Sequence, residues 1–163
     1  TKPKSNLALH HMNRVVSLVD RSTGRSVSVV FNQSFGPAEV SKLLFTKVDR
    51  NSRLVTDEAR PYIAPGKQFK AHQTLNHRQK EYARGDVTTN TVEGFFGIFK
   101  RGMRGIYQHC GQQHLGRYLA EFDFRYTNRI ANGYDDAERA DVALKGIVGK
   151  RLTYRRTDNA VVA

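Results

Sequence analysis

The residues best suited to chemistry lie between Asn90 and Arg104, in the stretch N-T-V-E-G-F-F-G-I-F-K-R-G-M-R. At 100° per residue, one face of a helix would carry a carboxylate, an amide, a gap without a side chain and two cations. These residues are Asn90, Glu93, Gly97, Lys100 and Arg104. The opposite face is apolar, formed by Val92, Phe96, Phe99 and Met103 with Phe95 beside them. Gly97 costs about 1 kcal/mol of helix stability relative to alanine, which suggests that something approaches the backbone there.

The same spacing has a purely structural interpretation. Asn90 and Glu93 fit an N-cap residue followed by an acid at the third helical position, a variant of the capping box. Lys100 and Arg101 would then complement the helix dipole at the other end. Spacing alone favours this interpretation over a functional one.

A second acid stands at the end of a short apolar strand. Asp57 follows R-L-V-T, and the ends of strands are where open sheets place their ligands. Asp57 could equally cap the turn that follows, T-D-E-A-R-P-Y, and its neighbour Glu58 is more typical of a solvated acid. If both Asp57 and Glu93 are functional, their chemistry is that of metal ligands, since Mg²⁺ prefers carboxylate oxygens.

Four longer patterns place these residues in a known context. T-D-E-x-x-x-Y begins at Thr56, N-x-x-E-G-F-F-x-x-x-K-R-G begins at Asn90, and G-x-Y-x-H follows it. R-Y-L-x-E-F-D-F-R-Y-x-N-R completes the set at 117–129. Together they resemble the end of the catalytic domain of DDE transposases, in the bacterial insertion-sequence group called ISXO-two-like. The resemblance covers most of the chain, and Glu93 with Lys100 matches the E-x6-K element of that family.

The resemblance implies a ribonuclease H-like α/β fold, a mixed sheet flanked by helices. It implies metal-dependent cleavage of transposon-end phosphodiesters and joining of the freed 3′-OH to target DNA. Two Mg²⁺ or Mn²⁺ ions would neutralise charge at phosphorus, held by Asp57 and Glu93. Some members place an amide in the third catalytic position, so Asn90 can share or replace the role of Glu93. Lys100 would also serve catalysis.

DNA, as transposon ends and as target, is the implied partner, with a homo-oligomer assembled on it. Lys100, Arg101 and Arg104 would contact phosphates, which position DNA without reading its sequence. The composition agrees with a polyanionic partner, since 27 lysine and arginine residues against 15 acids give a formal net charge of +12. Another basic protein class remains an alternative, because charge alone does not identify the polyanion.

One departure from the family pattern concerns its first aspartate, expected on a strand before the hairpin. Asp20 is the only early candidate in a strand context, and it stands at a hairpin turn beside Ser-Thr-Gly. We therefore expect a fragment that begins after the first strand and is inactive alone. The alternatives are a non-catalytic DNA-binding module derived from a transposase, or another metal-dependent nuclease of the same fold.

The length and the hydrophobic content of the chain indicate one globular domain. The chain has 163 residues, 39% of them hydrophobic, and contains no apolar run of the roughly 20 residues that span a membrane. Cys110 is the single cysteine, so no intrachain disulfide forms. We expect a cytoplasmic protein, associated with the nucleoid when bound to DNA. Zinc is disfavoured because the histidines lack an H-x3-H pair and cysteine partners.

Periodicity predicts a domain over 1–148 and a basic tail over 149–163. Strands are expected at 14–19 and 26–31 as a hairpin, at 53–57 and at 69–72. Helices are expected at 37–47 with Ser34 as a possible cap, from Asn90 onward, at 112–130 and at 137–148. The segment 75–89 is polar and predicted to be a loop.

Overall fold

The structure, a computed structural model, describes residues 14–31, 35–79 and 81–150. Its strands are β1 (Arg14–Val19), β2 (Ser26–Phe31), β3 (Arg53–Asp57), β4 (Ala71–Leu75), β5 (Ala83–Arg84) and β6 (Val87–Thr88). Its helices are α1 (Pro37–Lys47), α2 (Arg60–Gly66), α3 (Asn90–Gly102), α4 (Leu115–Thr127) and α5 (Asp136–Lys145). The predicted mixed α/β class is therefore confirmed. No helix in these ranges is long and apolar enough to span a membrane.

The described strands form three separate two-stranded sheets. β1 pairs with β2 and β5 with β6 in antiparallel fashion, while β3 and β4 are parallel. The sequence predicted one mixed sheet instead. One reason why the hairpin does not extend into a larger sheet lies at β2. Its outer backbone N–H groups donate to side chains of a helix and not to another strand.

The β1–β2 hairpin closes through the turn chemistry that the sequence predicted. The Asp20 carboxylate accepts hydrogen bonds from the hydroxyls of Ser22 at 2.7 Å and Thr23 at 2.6 Å. These bonds hold the pKa of Asp20 below its ordinary value. Gly24 follows with φ of 71°, a left-handed conformation that favours glycine. The carboxylate of Asp20 is thus engaged in building the turn.

The main core lies between α1, β3 and the loop before β4. Val40, Leu44, Leu54 and Phe69 are buried together, and Leu18 of β1 packs against them. Burying a side chain of this kind contributes about 1.5–3 kcal/mol. Because α1 also packs on α2, this core fixes β3 and the helix that follows it.

A second packing region joins α3 to α4 through aromatic rings. Phe95 meets Tyr126 edge-to-face with centroids 5.2 Å apart, and Phe99 meets Phe122 at the same distance. The most buried positions of α3 are Phe95, Phe99 and Gly102. The buried face of α3 is therefore rotated slightly from the predicted apolar face, which was centred on Phe96 and Phe99.

α4 is also bound to the free edge of the hairpin. Asp123 accepts the backbone N–H of Ser28 at 2.6 Å and its hydroxyl at 2.9 Å. Thr127, one turn later, accepts the N–H of Ser26 at 3.0 Å. An exposed strand edge invites pairing with other chains, and here a helix covers it.

Several predicted boundaries were wrong. Thr89, not Asn90, is the N-cap of α3, so Asn90 with Glu93 does not form the predicted capping box. β4 lies at 71–75 and not at 69–72, since Gln68 and Phe69 close the turn after α2. The predicted loop 75–89 contains a short hairpin, β5–β6.

The C-terminal boundaries also moved. A 3-10 turn over Gln112–His114 precedes α4, which begins only at Leu115 and is therefore shorter than predicted. α5 ends at Lys145 and not at 148. The N-cap of α1 is Gly36 and not the predicted Ser34. Ser34 itself and the tail residues 151–163 lie outside the described residues.

The α3–α4 contact predicts opposite effects for two glycines of the same helix. A Cβ on Gly102 would lie 2.3 Å from Cζ of Phe122, whereas one on Gly97 would meet no atom within 4 Å. We expect Gly102→Ala to lower the free energy of unfolding by about 1–3 kcal/mol through overpacking. Gly97→Ala should raise it by up to about 1 kcal/mol. Urea denaturation measures both, and equal effects would contradict the α3–α4 packing.

The half-buried Asp123 predicts a pH dependence of stability. Burial raises the pKa of its carboxyl above the ordinary 3.8, although hydrogen bonds from Ser28 and Ser26 oppose the shift. A raised folded-state pKa gives stability that is full below the unfolded pKa and is lost as pH rises through the folded one. Compared with Asp123→Asn, the wild-type chain should therefore lose stability as pH rises from 3.8 through that raised pKa. Urea denaturation at several pH values tests this; a relative gain with pH would contradict it.

Candidate functional site

Asp57 is the last residue of β3 and is exposed to solvent. Its Oδ1 accepts the backbone N–H of Ala59 at 3.1 Å, so the turn that leads into α2 uses one carboxylate oxygen. The two interpretations of Asp57 are thus compatible, because a carboxylate that braces a turn still has accepting capacity for a ligand. Glu58 forms an ion pair with the exposed Arg78 at 3.2 Å.

Two partly buried side chains, His72 and Tyr62, lie near the end of β3. The hydroxyl of Thr56 lies 2.9 Å from Nε2 of His72 on the neighbouring strand. Burial lowers the pKa of His72, which favours its neutral form. Burial also raises the pKa of Tyr62 to about 12, and the negative charge of Asp57 acts in the same direction. Tyr62, the tyrosine of T-D-E-x-x-x-Y, therefore lies near Asp57 and stays protonated.

The parallel pairing of β3 and β4 brings a second set of groups to the same edge. Asp57 is paired with Leu75, the last residue of β4, and His77 follows two residues later. Since the strands run in the same direction, their carboxyl ends meet at one edge of the sheet. His77 packs edge-to-face on Tyr82, with ring centroids 5.6 Å apart.

Glu93 contacts His77, in the segment that follows β4, and the buried residue Thr89. The Thr89 hydroxyl donates to Oε1 of Glu93 at 2.6 Å and lies 3.2 Å from Nε2 of His77. The same Nε2 is 3.8 Å from the Glu93 oxygen. Thr89 is only 7% exposed, so the first turn of α3 is anchored by a buried hydroxyl. Glu93 itself remains half exposed and accessible to a ligand.

The remaining predicted residues lie on the solvent side of α3. Asn90, Glu93, Gly97, Lys100 and Arg101 are all exposed, as the predicted polar face requires. Arg104 is exposed too, but it lies in a π-helical turn over Met103–Tyr107. The wider turn changes the angular spacing, so the α-helical pattern does not extend to Arg104 as predicted.

The oxygen donors of the candidate site meet the requirements of a metal ion only in part. Carboxylate and amide oxygens are available at Asp57, Glu93 and Asn90, which is the right chemistry for Mg²⁺. Among the described residues, however, no group of three or more His, Cys, Asp or Glu side chains is arranged to hold a metal ion. Within those residues the donor set therefore falls short of a complete two-ion site.

Sequence reasoning missed the residues that support the acids. Thr89 stands between two other capping residue types, Thr88 and Asn90, and nothing local marks it as the buried one. The contact of His77 with Glu93 depends on the path of the chain between β4 and α3, which no local pattern indicates. For Tyr62, the pattern T-D-E-x-x-x-Y was the available indication.

Comparison with known proteins identifies a family. The family model described as ISXO2-like transposase domain matches residues 2–127, which include β1 to α4 and all the candidate residues above. No curated protein and no solved structure matches the chain. Because the match covers well over half of the sequence, the chain belongs to the ISXO2-like transposase domain family.

Proposed function

We propose that this chain is the catalytic region of a DDE transposase with a ribonuclease H-like fold. It would cleave phosphodiesters at transposon ends and join the 3′-OH to target DNA. The observation that supports the proposal is the contact of Glu93 with Thr89 and His77, since His77 follows β4 by two residues and the last residue of β4 pairs with Asp57. In the proposed site, one carboxylate would come from the end of a strand and the other from the first turn of a helix.

The polar face of α3 supplies the DNA-binding part of the proposal. Lys100 and Arg101 lie in its last turn, and Arg104 follows in the π-helical turn. Gly97 leaves open space beside Glu93 and Lys100, because a Cβ there would meet nothing within 4 Å. A phosphate backbone can therefore approach α3 closely, with cations on one side and a carboxylate on the other.

Divalent metal ions, Mg²⁺ or Mn²⁺, would supply charge neutralisation at phosphorus and a nucleophile at neutral pH. Asp57 and Glu93 are the proposed ligands, with Asn90 as the amide alternative. Thr89 and His77 would act on Glu93 by fixing its orientation, as outer-shell partners do for metal ligands. Lys100 would contact the phosphate.

A second function is a DNA-binding domain that does not cut. The observation that favours it is the lack of a three-ligand group among the described residues. Both functions require the basic surface of α3, and only the first requires the acids. Binding and cleavage must therefore be measured separately.

For binding, we expect affinity for a random DNA duplex to fall steeply with salt, because phosphate contacts release counterions. Lys100→Ala should weaken binding and reduce the slope of log affinity against log salt by about one. Lys47→Ala is the matched control, since Lys47 is an exposed lysine in the last turn of α1. Fluorescence anisotropy at several salt concentrations gives the slopes. Equal slopes for both variants would remove Lys100 from the interface.

For cleavage, we expect the 163-residue chain to leave labelled end DNA intact with Mg²⁺, since Asp57 and Glu93 are only two of the three acids that the proposed chemistry needs. A longer polypeptide that adds the family's first aspartate should cut. In it, Asp57→Asn should abolish cutting and leave DNA binding nearly intact. Loss of positioning alone can slow such chemistry by orders of magnitude. Efficient cutting by the short chain would show that the acids it contains suffice.

The same assay ranks the groups on α3. The more damaging of Glu93→Gln and Asn90→Ala identifies the third ligand. Thr89→Val, which removes the hydroxyl bound to Glu93, should slow cutting by about 10–100-fold, the usual effect of losing an outer-shell partner. Thr89→Ser keeps that hydroxyl and should restore most of the rate. A longer polypeptide that binds ends but never cuts would establish the DNA-binding alternative.

A further inference from the structure

Arg129, the last residue of the pattern R-Y-x-N-R, follows the end of α4 and stacks on an aromatic ring. Its guanidinium carbon Cζ lies 3.7 Å from the ring centroid of Tyr126. Its Nε is buried without a hydrogen-bond partner in the described part of the chain. No carboxylate of that part forms an ion pair with it. Because stacking uses the face of the guanidinium, the terminal N–H groups remain available for the paired oxygens of an anion.

The turn that carries Arg129 is held by two asparagines. Asn128 is only 7% exposed, and its side-chain amide donates to the carbonyl oxygen of Phe124 at 2.9 Å. The side-chain amide of Asn132 donates to the carbonyl oxygen of Thr127 at 2.8 Å. The backbone N–H of Asn132 donates to the carbonyl oxygen of Arg129, also at 2.8 Å. A guanidinium on a backbone fixed in this way is well placed to hold a ligand in one position.

The packing of α4 on α3 brings Arg129 close to the candidate site. Tyr126 packs on Phe95 of α3, and its hydroxyl oxygen lies 3.5 Å from the carbonyl oxygen of Thr91. Arg129 is stacked on the same tyrosine ring, so it lies close to the first turn of α3. This is the turn that also carries Glu93, the candidate acid.

Gly94 lies between the two sides of this turn. At 100° per residue, its position on α3 is about 40° from Asn90 and about 60° from Thr91, which is near α4. Gly94 is exposed, and a Cβ there would meet no atom within 4 Å. The surface of α3 is therefore open between the side of Glu93 and the side of Arg129. A nucleic-acid backbone that lies across this turn could reach both sides.

We propose that Arg129 binds a DNA phosphate next to the reacting one, and that the strand reaches Arg129 across Gly94. This inference rests on the proposed function, because it adds a contact to the same DNA. Phosphate fits the site better than a carboxylate does, since a chain with a net charge of +12 attracts polyanions. A contact of this kind fixes the position of the strand and does not read its sequence.

Salt-dependent binding of a random DNA duplex, measured by fluorescence anisotropy, tests the contact. Arg129→Ala should reduce the slope of log affinity against log salt by about one, since one phosphate contact is lost. Arg129→Lys keeps the charge and should restore the slope, but its affinity should stay below wild type because the planar fork is lost.

Arg50→Ala is the matched control for Arg129→Ala. Arg50 is also an arginine stacked on an aromatic ring, with Cζ 3.8 Å from the ring centroid of Phe45. It precedes β3, at the opposite end of that strand from Asp57. Arg50→Ala therefore removes the same charge and the same kind of stacking at a distance from the candidate site, and the slope should stay at the wild-type value.

Gly94→Gln tests the path of the strand. Glutamine forms helices better than glycine does, so α3 should be kept, and urea denaturation checks this. The added side chain would hold the strand away from Arg129, and the slope should again fall by about one. Combining Gly94→Gln with Arg129→Ala should lower it little further, since both changes remove the same contact. Gly116→Gln is the control, because Gly116 is an exposed glycine of α4 whose Cβ would also meet nothing within 4 Å.

The outcomes separate this inference from the proposed function. If Arg129→Ala and Arg50→Ala give equal slopes while Lys100→Ala still lowers the slope, the Arg129 contact is wrong and the proposed function stands. A wild-type slope for Gly94→Gln would overturn the path across α3. A wild-type chain that binds no DNA at low salt would overturn both the contact and the proposed function.

Discussion

The hydrogen bonds between α4 and the free edge of β2 are the constraint on which the rest of the arrangement depends. Asp123 and Thr127 are four residues apart on a helix, roughly 6 Å along its axis, while Ser26 and Ser28 are two residues apart on a strand, roughly 6.6 Å. The two spacings agree, so successive outer N–H groups of β2 meet successive side chains of α4. Because burial disfavours the Asp123 charge, the contact depends on the donors of Ser28 being kept in place.

α3 connects the contact between α4 and β2 with the candidate site. Aromatic pairs fix α3 on the neighbouring face of α4, and Gly102 permits the close approach at one end. At the other end, the buried hydroxyl of Thr89 ties the first turn to His77, just beyond β4. α3 is therefore held at both ends while its middle carries the exposed face. Such support is what a catalytic carboxylate needs, since a group on a rigid element keeps its geometry when substrate binds.

Much of the fold followed from local patterns. Alternation and turn chemistry predicted β1, β2 and the hairpin turn, and the apolar spacing of 37–47 predicted α1 with its bounds, since each pattern is complete within a few residues. Three consecutive residues of capping type, Thr88, Thr89 and Asn90, could not be ranked, because the hydroxyl of the actual N-cap, Thr89, bonds the Glu93 side chain and not a backbone N–H. The division into separate sheets was equally hidden, since Asp123 looked like an ordinary polar residue of a helix. For the site, spacing predicted the exposed face of α3, but only family resemblance connected Glu93 with Asp57.

The exposed faces of α3 and α5 differ in polarity. α3 buries phenylalanines and exposes a carboxylate, an amide and cations beside an open glycine, a surface suited to a hydrated polyanion. α5 exposes Leu144, and Ile147 is exposed in the turn after it, whereas Arg139 and Val142 are partly buried. The family match ends at residue 127, so α3 lies within it and α5 beyond it. Because contacts of α3 with DNA would depend on charge, salt should weaken them, whereas the exposed apolar side chains of α5 carry no charge for salt to screen.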